Sequence, residues 1–267
     1  MERYNLNAII LAAGEGTRLN PLTKNYPKGL VLLFGKSLIE RQLEIFRACD
    51  ITDISIVTGY LGEMIKFSDI TYFHNPNYRS TNMVETLLCA RQKLTDSTIV
   101  SYGDIIFERK ILEKLICSQD DISVIIDTEW YNYWKARFEN PLGDAESLIL
   151  KDGFISNIGQ KTQNLSEIQG QYIGLMKFQN EGIRILQDFY DKSKELAKTS
   201  TNPLNSQVPF EKSYLTDLLQ GLINEGHKIK AIPTKNGWLE LDSYNDFQLY
   251  EKLQESNQLS KFINLQN

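Results

Sequence analysis

The segment that most constrains this chain is a short apolar run that breaks into a turn of small residues. Residues 8–11 (Ala-Ile-Ile-Leu) are typical of a fully buried strand, and residues 12–16 (Ala-Ala-Gly-Glu-Gly) form the turn. Gly14 and Gly16 let the backbone approach a ligand closely, because neither carries a Cβ. Successive N–H groups exposed in such a turn can bind phosphate oxygens. The segment therefore predicts a phosphate-binding loop directly after a buried strand.

Two basic residues follow this loop. Arg18 and Lys28 would place fixed positive charge where a triphosphate lies. The loop lacks the third glycine that a dinucleotide-binding fold requires. It also lacks the Gly-Lys-Ser/Thr ending that a P-loop requires. The chain therefore uses neither of the two common phosphate-binding fingerprints.

Strand-like and helix-like segments alternate along the first half of the chain. Residues 7–12, 98–102 and 122–127 are mainly apolar, as strands covered on both faces are. This alternation predicts an α/β fold with three layers and a mostly parallel sheet. Ligands of such sheets bind at the carboxyl ends of the strands. The Gly14 turn and Asp104 each follow a strand, so we expect them at the same edge.

The second half of the chain is less regular. Residues 147–150 and 154–158 flank a Lys-Asp-Gly turn and predict a β-hairpin. We expect one domain over residues 1–267, with a nucleotide-binding half to about residue 127. An acceptor-binding half would run over about 128–242, and a C-terminal helix and tail over 243–267.

Composition and charge exclude several classes of protein. The 29 basic and 34 acidic residues give a net charge of −5, which argues against a general binder of nucleic acid or anionic membranes. Residues 1–6 are too short and polar for a signal peptide, and no run of about 18 apolar residues could span a bilayer. The three cysteines (Cys49, Cys89 and Cys117) are widely spaced, which predicts buried free thiols in a reducing cytoplasm.

Two aspartates stand just after strand-like segments. Asp104 ends Ser-Tyr-Gly-Asp and Asp242 ends Trp-Leu-Glu-Leu-Asp. Singly, Asp104 could be a turn residue and Asp242 a helix N-cap. Mg²⁺ prefers one or two carboxylates together with phosphate oxygens and water. Beside a phosphate-binding loop, the pair therefore favours a Mg²⁺ site.

The string Leu-Ala-Ala-Gly-Glu-Gly-Thr-Arg-Leu over residues 11–19, followed by Pro27-Lys28, resembles the signature of the sugar-phosphate nucleotidylyltransferase superfamily. Gly103-Asp104 and Leu241-Asp242 resemble its two metal-binding segments. One departure is Gly29, where relatives usually carry proline or cysteine. The resemblance implies a Rossmann-like sheet of the nucleotide-diphospho-sugar transferase type, with an inserted acceptor-binding β lobe.

Two further patterns look like the cytidylyltransferases of the phosphocholine and aminoalkylphosphonate type. One lies in residues 75–83 (Asn-Pro-x-Tyr-x-x-Thr-Asn-Met), and the other in residues 134–146 (Trp-x-x-Arg-Phe-x-x-Pro-Leu-x-Asp-Ala-Glu). The resemblance implies Mg²⁺-dependent transfer of CMP from CTP to a small phosphorylated or phosphonate headgroup. Such activated headgroups often decorate cell-surface polysaccharides.

The resemblance also implies roles for individual residues. Arg18 and Lys28 would stabilise the triphosphate and the leaving pyrophosphate, Lys161 would bind the acceptor phosphate, and Asp104 and Asp242 would hold the metal. The implied nucleotide-binding residues are Leu11, Ala12, Ala13, Gly14, Glu15, Gly16, Thr17, Thr81, Asn82 and Gly103. Asn82 has an equally good alternative role as a helix N-cap.

A cluster of aromatic and charged residues is the candidate acceptor site. In the relatives, such side chains hold a cationic headgroup, and aromatic faces attract ammonium groups. The implied residues here are Trp130, Trp134, Arg137, Asp144 and Glu146, with Tyr131 and Tyr133 beside them. The helical spacing of the cluster equally suits core packing, and its composition suits a homodimer contact. Arg137 would suit an acceptor that bears a carboxylate.

Three rival functions remain open at this point. A sugar-1-phosphate nucleotidylyltransferase would share the loop and the aspartates. A glycosyltransferase has a similar sheet but typically carries Asp-x-Asp, where this chain has Ser-Tyr-Gly-Asp. A non-catalytic nucleotide sensor tends to lose the charged site residues that are present here. The identity of the acceptor is not determined by these patterns.

Overall fold

A computed structural model describes residues 6–265 of the chain. The segment before Leu6, expected above not to be a signal peptide, and the end of the C-terminal tail lie outside the described residues. The strands are β1 (Leu6–Ala12), β2 (Leu32–Leu33), β3 (Lys36–Ser37), β4 (Ile54–Thr58), β5 (Ile70–His74), β6 (Ser97–Tyr102), β7 (Ile105–Phe107), β8 (Ile122–Asp127), β9 (Glu146–Lys151), β10 (Phe154–Lys161), β11 (Gln171–Gln179), β12 (Ile229–Thr234) and β13 (Trp238–Glu240). The helices are α1 (Leu38–Ala48), α2 (Met83–Leu88), α3 (Arg109–Cys117), α4 (Trp130–Arg137), α5 (Glu181–Ala197), α6 (Leu215–Asn224) and α7 (Tyr244–Glu255).

Nine strands form one sheet in the order β5-β4-β1-β6-β11-β8-β12-β10-β9. Their pairings make seven of these nine described strands run in the same direction, with β10 and β11 reversed. The predicted hairpin is present as β9 and β10, and it lies at one edge of this sheet. The α/β fold with a mostly parallel sheet is therefore confirmed.

Helices cover both faces of the sheet, because its central strands are buried and must be shielded from water on both sides. All residues of β4 and β8 are buried, so neither face of these strands meets water. One apolar core lies against α1, α3, α4 and α7, and a second against α2, α5 and α6. Each fully buried Leu, Ile or Phe contributes about 1.5–3 kcal/mol by leaving water. The three predicted layers follow from this two-sided burial.

Local signals in the sequence set the start of α1. The Ser37 hydroxyl accepts a hydrogen bond from the Glu40 N–H, and the Glu40 carboxylate accepts one from the Ser37 N–H. This capping box satisfies two donors that the helix leaves without partners. The helix therefore begins at Leu38, directly after Ser37.

The cysteines correct one expectation. Cys117 is exposed at the end of α3, and Cys49 and Cys89 are only partly buried, although all three are free thiols. Cys117 ends an amphipathic helix, and its side chain falls outside the buried stripe that Ile111, Leu112 and Leu115 form.

Within residues 6–265 no helix is both long and apolar enough to cross a bilayer.

A close backbone approach fixes the start of α5. A Cβ added at Gly182 would lie 2.2 Å from the Asp121 carbonyl oxygen, which is backbone and cannot rotate away. Gly182→Ala is therefore expected to lower the free energy of unfolding by about 1–3 kcal/mol. The matched control is Gly143→Ala, because the nearest atom to a Cβ there is 3.7 Å away. Urea unfolding of both variants measures the difference, and equal stability would contradict the predicted contact.

Candidate active site

The carboxyl ends of β1 and β6 bring the glycine-rich loop and Asp104 together. The two strands pair in parallel with Leu11 opposite Tyr102, and the Gly103 N–H donates to the Leu11 carbonyl at 2.8 Å. A Cβ on Gly103 would lie 2.7 Å from that carbonyl oxygen, so only glycine permits this approach. The loop and Asp104 therefore share one edge of the sheet, as predicted.

A second, two-stranded sheet brings Asp242 to the same place. Strands β7 and β13 are antiparallel, with Glu240 opposite Ile105, and the Leu241 N–H donates to the Asp104 carbonyl at 2.9 Å. This pairing places two residues that are far apart in the sequence next to each other. Asp104 directly precedes β7 and Asp242 closely follows β13, so the paired strands bring the two aspartates together.

Three carboxylates meet at this point. One oxygen each of Asp104, Glu240 and Asp242 lies within 4.8 Å of the others. Asp104 Oδ1 is buried and has no hydrogen-bond partner in the part of the chain that the structure describes. Hard carboxylate oxygens with an unsatisfied buried acceptor are a donor set that suits Mg²⁺. The residues present therefore fit a divalent cation.

Sequence reasoning missed Glu240. It stands two residues before Asp242 in a strand-like stretch, and side chains two apart on a strand point to the same face. That spacing was the signal that could have found it. Burial raises the pKa of Glu240 to about 7, Arg137 opposes this rise, and the neighbouring Asp104 and Asp242 add to it.

Lys28 lies between the two predicted metal ligands. Its Nζ is 2.7 Å from Asp104 Oδ2 and 3.1 Å from Asp242 Oδ1, and its side chain is only 14% exposed. Burial alone would lower the pKa of Lys28, but the charges of Asp104 and Asp242 outweigh burial and hold that pKa above its ordinary value. Lys28 is therefore a charged counter-ion inside the carboxylate cluster.

Arg18 contacts the same cluster from the solvent side. Its Nη1 is 2.7 Å from Asp242 Oδ2, but 71% of its side chain is exposed. An exposed pair of this kind contributes about 0–1 kcal/mol, so it can exchange partners readily. Arg18 is thus free to turn toward an anionic ligand, whereas Lys28 is mostly buried and contacts two carboxylates.

A cavity of about 230 Å³ opens beside the glycine-rich loop. Six predicted nucleotide-binding residues line it, together with Arg18, Lys28, Asp104 and Asp242: Leu11, Ala12, Gly14, Gly16, Thr17 and Gly103. Gly29, the departure from the family pattern, also lines it.

Three other predicted nucleotide-binding residues do not line this cavity. Ala13 is buried, and its carbonyl accepts from the Tyr60 N–H. Glu15 pairs with Arg79 at 2.7 Å on the outer side of the loop. Thr81 donates to a backbone carbonyl in its own loop. Nucleotide binding by these three residues stays a prediction.

Asn82 has the capping role that the sequence left open. Its Oδ1 accepts from the Met83 N–H at 2.9 Å, and its Nδ2 donates to the Lys212 carbonyl at 3.3 Å. It also lines a second cavity. Reading of the base edge by Asn82 stays a prediction.

This second cavity, of about 330 Å³, shares Arg18, Met83, Asp104 and Asp242 with the first. Four predicted acceptor-side residues line it: Trp134, Asp144, Glu146 and Lys161. Sequence reasoning missed further lining residues, namely Tyr102, Gln171, Tyr172, Ile173, Gly174, Tyr214, Thr216 and Trp238. They come from segments that are distant in sequence, so no local sequence pattern predicts that they meet.

The acceptor-side cavity is predominantly acidic. Burial raises the pKa of Glu146 to about 7, and the positive charge of Lys161 opposes that rise. The Trp134 Nε1 donates to Asp144 Oδ2 at 3.0 Å, which fixes an aromatic ring beside a carboxylate. Lys161 Nζ is 3.4 Å from the Asp144 carbonyl oxygen. Beyond the groups that it shares with the carboxylate cluster, the cavity therefore combines an aromatic wall, the carboxylates of Asp144 and Glu146, and the Lys161 ammonium group.

Two residues assigned above to the acceptor site lie elsewhere. Trp130 is only 3% exposed and donates its Nε1 hydrogen to the Ile168 carbonyl, so it packs in the core. The side chain of Arg137 is 1% exposed and is paired with Glu240 and Asp246. Neither residue lines either cavity. Their helical spacing reflects packing, which is the alternative that the sequence had left open.

Comparisons with known proteins fit this geometry. Residues 8–145 match the family model of the MobA-like NTP transferase domain. Over 256 residues the chain is 34% identical to a CTP:phosphoglutamine cytidylyltransferase from Campylobacter jejuni, a match that covers 91% of this chain and 98% of the relative. It is 37% identical over 107 residues to a choline-phosphate cytidylyltransferase from Streptococcus pneumoniae, covering 39% of this chain and 47% of that protein.

Solved structures show the same fold. A CTP:phosphocholine cytidylyltransferase from Streptococcus pneumoniae aligns with a TM-score of 0.68 at 23% identity, covering 94% of this chain and 99% of that one. An inositol-1-phosphate CTP transferase from T. maritima aligns with a TM-score of 0.69 at 19% identity, covering 93% and 96%. At these identities the likeness concerns the fold alone.

The free energy of unfolding tests whether Lys28 neutralises the carboxylate cluster more strongly than Arg18 does. Lys28→Met leaves two mostly buried carboxylates without their counter-ion and should lower the free energy of unfolding by about 2 kcal/mol or more. Arg18→Met removes an exposed partner and should cost less than about 1 kcal/mol. Urea unfolding in EDTA at low ionic strength compares the two. Equal losses would show that Lys28 does not neutralise the cluster.

Proposed function

The chain belongs to the family of MobA-like NTP transferase domains and is a nucleotidyltransferase, and we propose that it transfers CMP from CTP to a small phosphorylated headgroup. The products would be a CDP-activated headgroup and pyrophosphate. The most similar full-length relative reported above is named for cytidylyl transfer to a phosphorylated amino acid.

The observation that carries this proposal is the meeting of the two cavities. They share Arg18, Asp104 and Asp242, so a ligand in each would face the other across the carboxylate cluster. Nucleotidyl transfer needs this arrangement, because an acceptor phosphate oxygen attacks the α-phosphorus in line with the departing pyrophosphate. Positioning and charge neutralisation then supply most of the catalysis.

The residues of the cluster divide this work. Arg18 and Lys28 would bind the triphosphate and stabilise the charge that develops on pyrophosphate. Asp104, Asp242 and Glu240 would hold Mg²⁺. When bound, that ion would neutralise phosphate charge and so favour the attack. Lys28 must exchange its carboxylate partners for phosphate oxygens as the ligands bind.

The acceptor cavity suits a headgroup that carries both a phosphate and a cationic nitrogen. Lys161 would bind the acceptor phosphate. Trp134, Asp144 and Glu146 would surround the cationic nitrogen, which an aromatic face attracts by about 0.5–2 kcal/mol. Phosphoglutamine and phosphocholine, the acceptors in the names of two relatives, both carry such a nitrogen. Arg137, being enclosed, is not available to an acceptor carboxylate.

Pyrophosphate release tests the function directly. We expect turnover with CTP and Mg²⁺ when phosphoglutamine, phosphocholine or aminoethylphosphonate is the acceptor, and little with glycerol 3-phosphate or hexose 1-phosphates. The cationic nitrogen supplies the difference, because acceptors that lack one give Asp144 and Glu146 no positive partner. UTP, ATP and GTP in place of CTP test the base preference. Preferred turnover of a hexose 1-phosphate would favour the sugar-1-phosphate nucleotidylyltransferase instead.

Two tryptophans of the same helix provide a matched pair for the acceptor site. Trp134→Leu should raise the KM of a cationic acceptor by about tenfold while changing the KM of CTP less than twofold, because Trp134 lines the acceptor cavity and not the nucleotide cavity. Trp130→Leu should lower thermal stability through lost packing without a selective effect on the acceptor. Steady-state kinetics and thermal unfolding of both variants measure this. Identical kinetic effects in the two would remove Trp134 from the acceptor site.

A further inference from the structure

Arg137 is the most enclosed cation near the carboxylate cluster. Its side chain is 1% exposed. Its guanidinium carbon lies 5.2 Å from the ring centre of Tyr133, 5.5 Å from that of Trp134 and 4.9 Å from that of Phe138. Three aromatic rings therefore hold the guanidinium in place, and it has no path to a ligand in either cavity.

Each donor-bearing nitrogen of the Arg137 guanidinium contacts a carboxylate. Nη1 donates to Glu240 Oε2 at 2.8 Å. Nε and Nη2 donate to the two oxygens of Asp246 at 2.9 Å and 3.1 Å. This bidentate geometry is specific to arginine, because a lysine ammonium group cannot donate two parallel hydrogen bonds to a carboxylate in one plane.

Asp246 links Arg137 to the backbone of Asp242. Its Oδ2 accepts hydrogen bonds from the backbone N–H groups of Asp242 at 3.2 Å and of Ser243 at 2.8 Å. The same carboxylate forms the capping box that begins α7. The backbone of Asp242 is therefore held by a carboxylate that Arg137 orients.

The backbone of Glu240 is held from α4, the helix that carries Arg137, and from α7. The Glu240 N–H donates to the Tyr133 hydroxyl at 2.9 Å, and the Tyr250 hydroxyl donates to the Glu240 carbonyl at 2.7 Å. Glu240 is thus fixed at both its backbone and its carboxylate, and Arg137 makes the carboxylate contact.

We propose, on the premise of the function given above, that Arg137 is a positioning residue that sets the two late carboxylates of the cation site. It contacts Glu240 directly and Asp242 through Asp246. It does not contact the nucleotide, the acceptor or the cation. Its contribution is to hold negative charges close together in an orientation that a divalent cation can use, and partners of this kind affect metal affinity by about 10–100-fold.

Binding of Mn²⁺ to the protein alone, followed by electron paramagnetic resonance, tests this role without turnover. Arg137→Met should raise the half-saturating Mn²⁺ concentration by about 10–100-fold. Arg137→Lys keeps the charge but loses the bidentate geometry, so we expect a rise of roughly three- to tenfold. Because Arg137→Met leaves buried carboxylates unpaired, it can fail to fold, and Arg137→Lys then decides the outcome.

Two further variants separate positioning from general loss of structure. Trp130→Leu damages the core from the same helix without touching the carboxylates, so it should lower thermal stability and leave Mn²⁺ binding within about twofold of wild type. Asp242→Asn should lose Mn²⁺ binding and so identifies the site that is measured. In steady-state kinetics, Arg137→Lys should raise the KM for metal while leaving the KM for CTP at saturating metal within about twofold.

The outcomes are distinct. Wild-type Mn²⁺ affinity in Arg137→Lys, or an equal loss in Trp130→Leu, overturns the positioning role even if cytidylyl transfer is confirmed. Retained Mn²⁺ binding in Asp242→Asn overturns the cation site itself, and the positioning role with it. Absence of pyrophosphate release with all acceptors would contradict the proposed function and would leave the Mn²⁺ result for Arg137 standing.

Discussion

The mutual repulsion of three carboxylates is the constraint on which the site depends. Asp104, Glu240 and Asp242 converge because β7 and β13 pair, and like charges at this distance destabilise a fold that does not compensate them. Lys28 compensates two of them from inside the cluster, and Arg137 compensates Glu240 from behind. The two cations differ in purpose, because Lys28 faces the cavity and Arg137 is enclosed by aromatic rings. A triphosphate can recruit the first, and the second stays in place.

This arrangement explains why the two cavities meet where they do. The loop after β1 and the segment after β6 form one wall, since parallel neighbours end at the same edge of a sheet. The hairpin of β9 and β10, together with β11, forms the acceptor side farther along the same sheet. The boundary between the cavities is the carboxylate cluster. A nucleotide and an acceptor would therefore meet at the carboxylates that we propose hold the metal.

Helix α4 illustrates how one sequence segment serves several purposes. Trp134 lines the acceptor-side cavity and donates to Asp144. Trp130 packs in the core, and Arg137 supports the carboxylates of another element. From the sequence, all three looked like members of one binding cluster. The helix instead directs these side chains to the acceptor-side cavity, to the core and to the carboxylate cluster.

The amino-acid sequence alone determined those features that depend on neighbours along the chain. Buried strands, the Ser37 capping box and the turn after β1 are local patterns, and parallel alternation placed Asp104 at the edge of the loop. The recognised motifs also located Asp242 and Lys161. Only the tertiary structure decided which residues face a cavity. Glu240 and Tyr172 reach the site through strand pairing across long sequence separations, and Tyr214 reaches it at the start of α6, which packs on β10. Trp130 and Arg137 line neither cavity, because burial and partners depend on packing. Periodicity states which face of a helix is apolar, but the element that packs against that face is chosen by the rest of the fold.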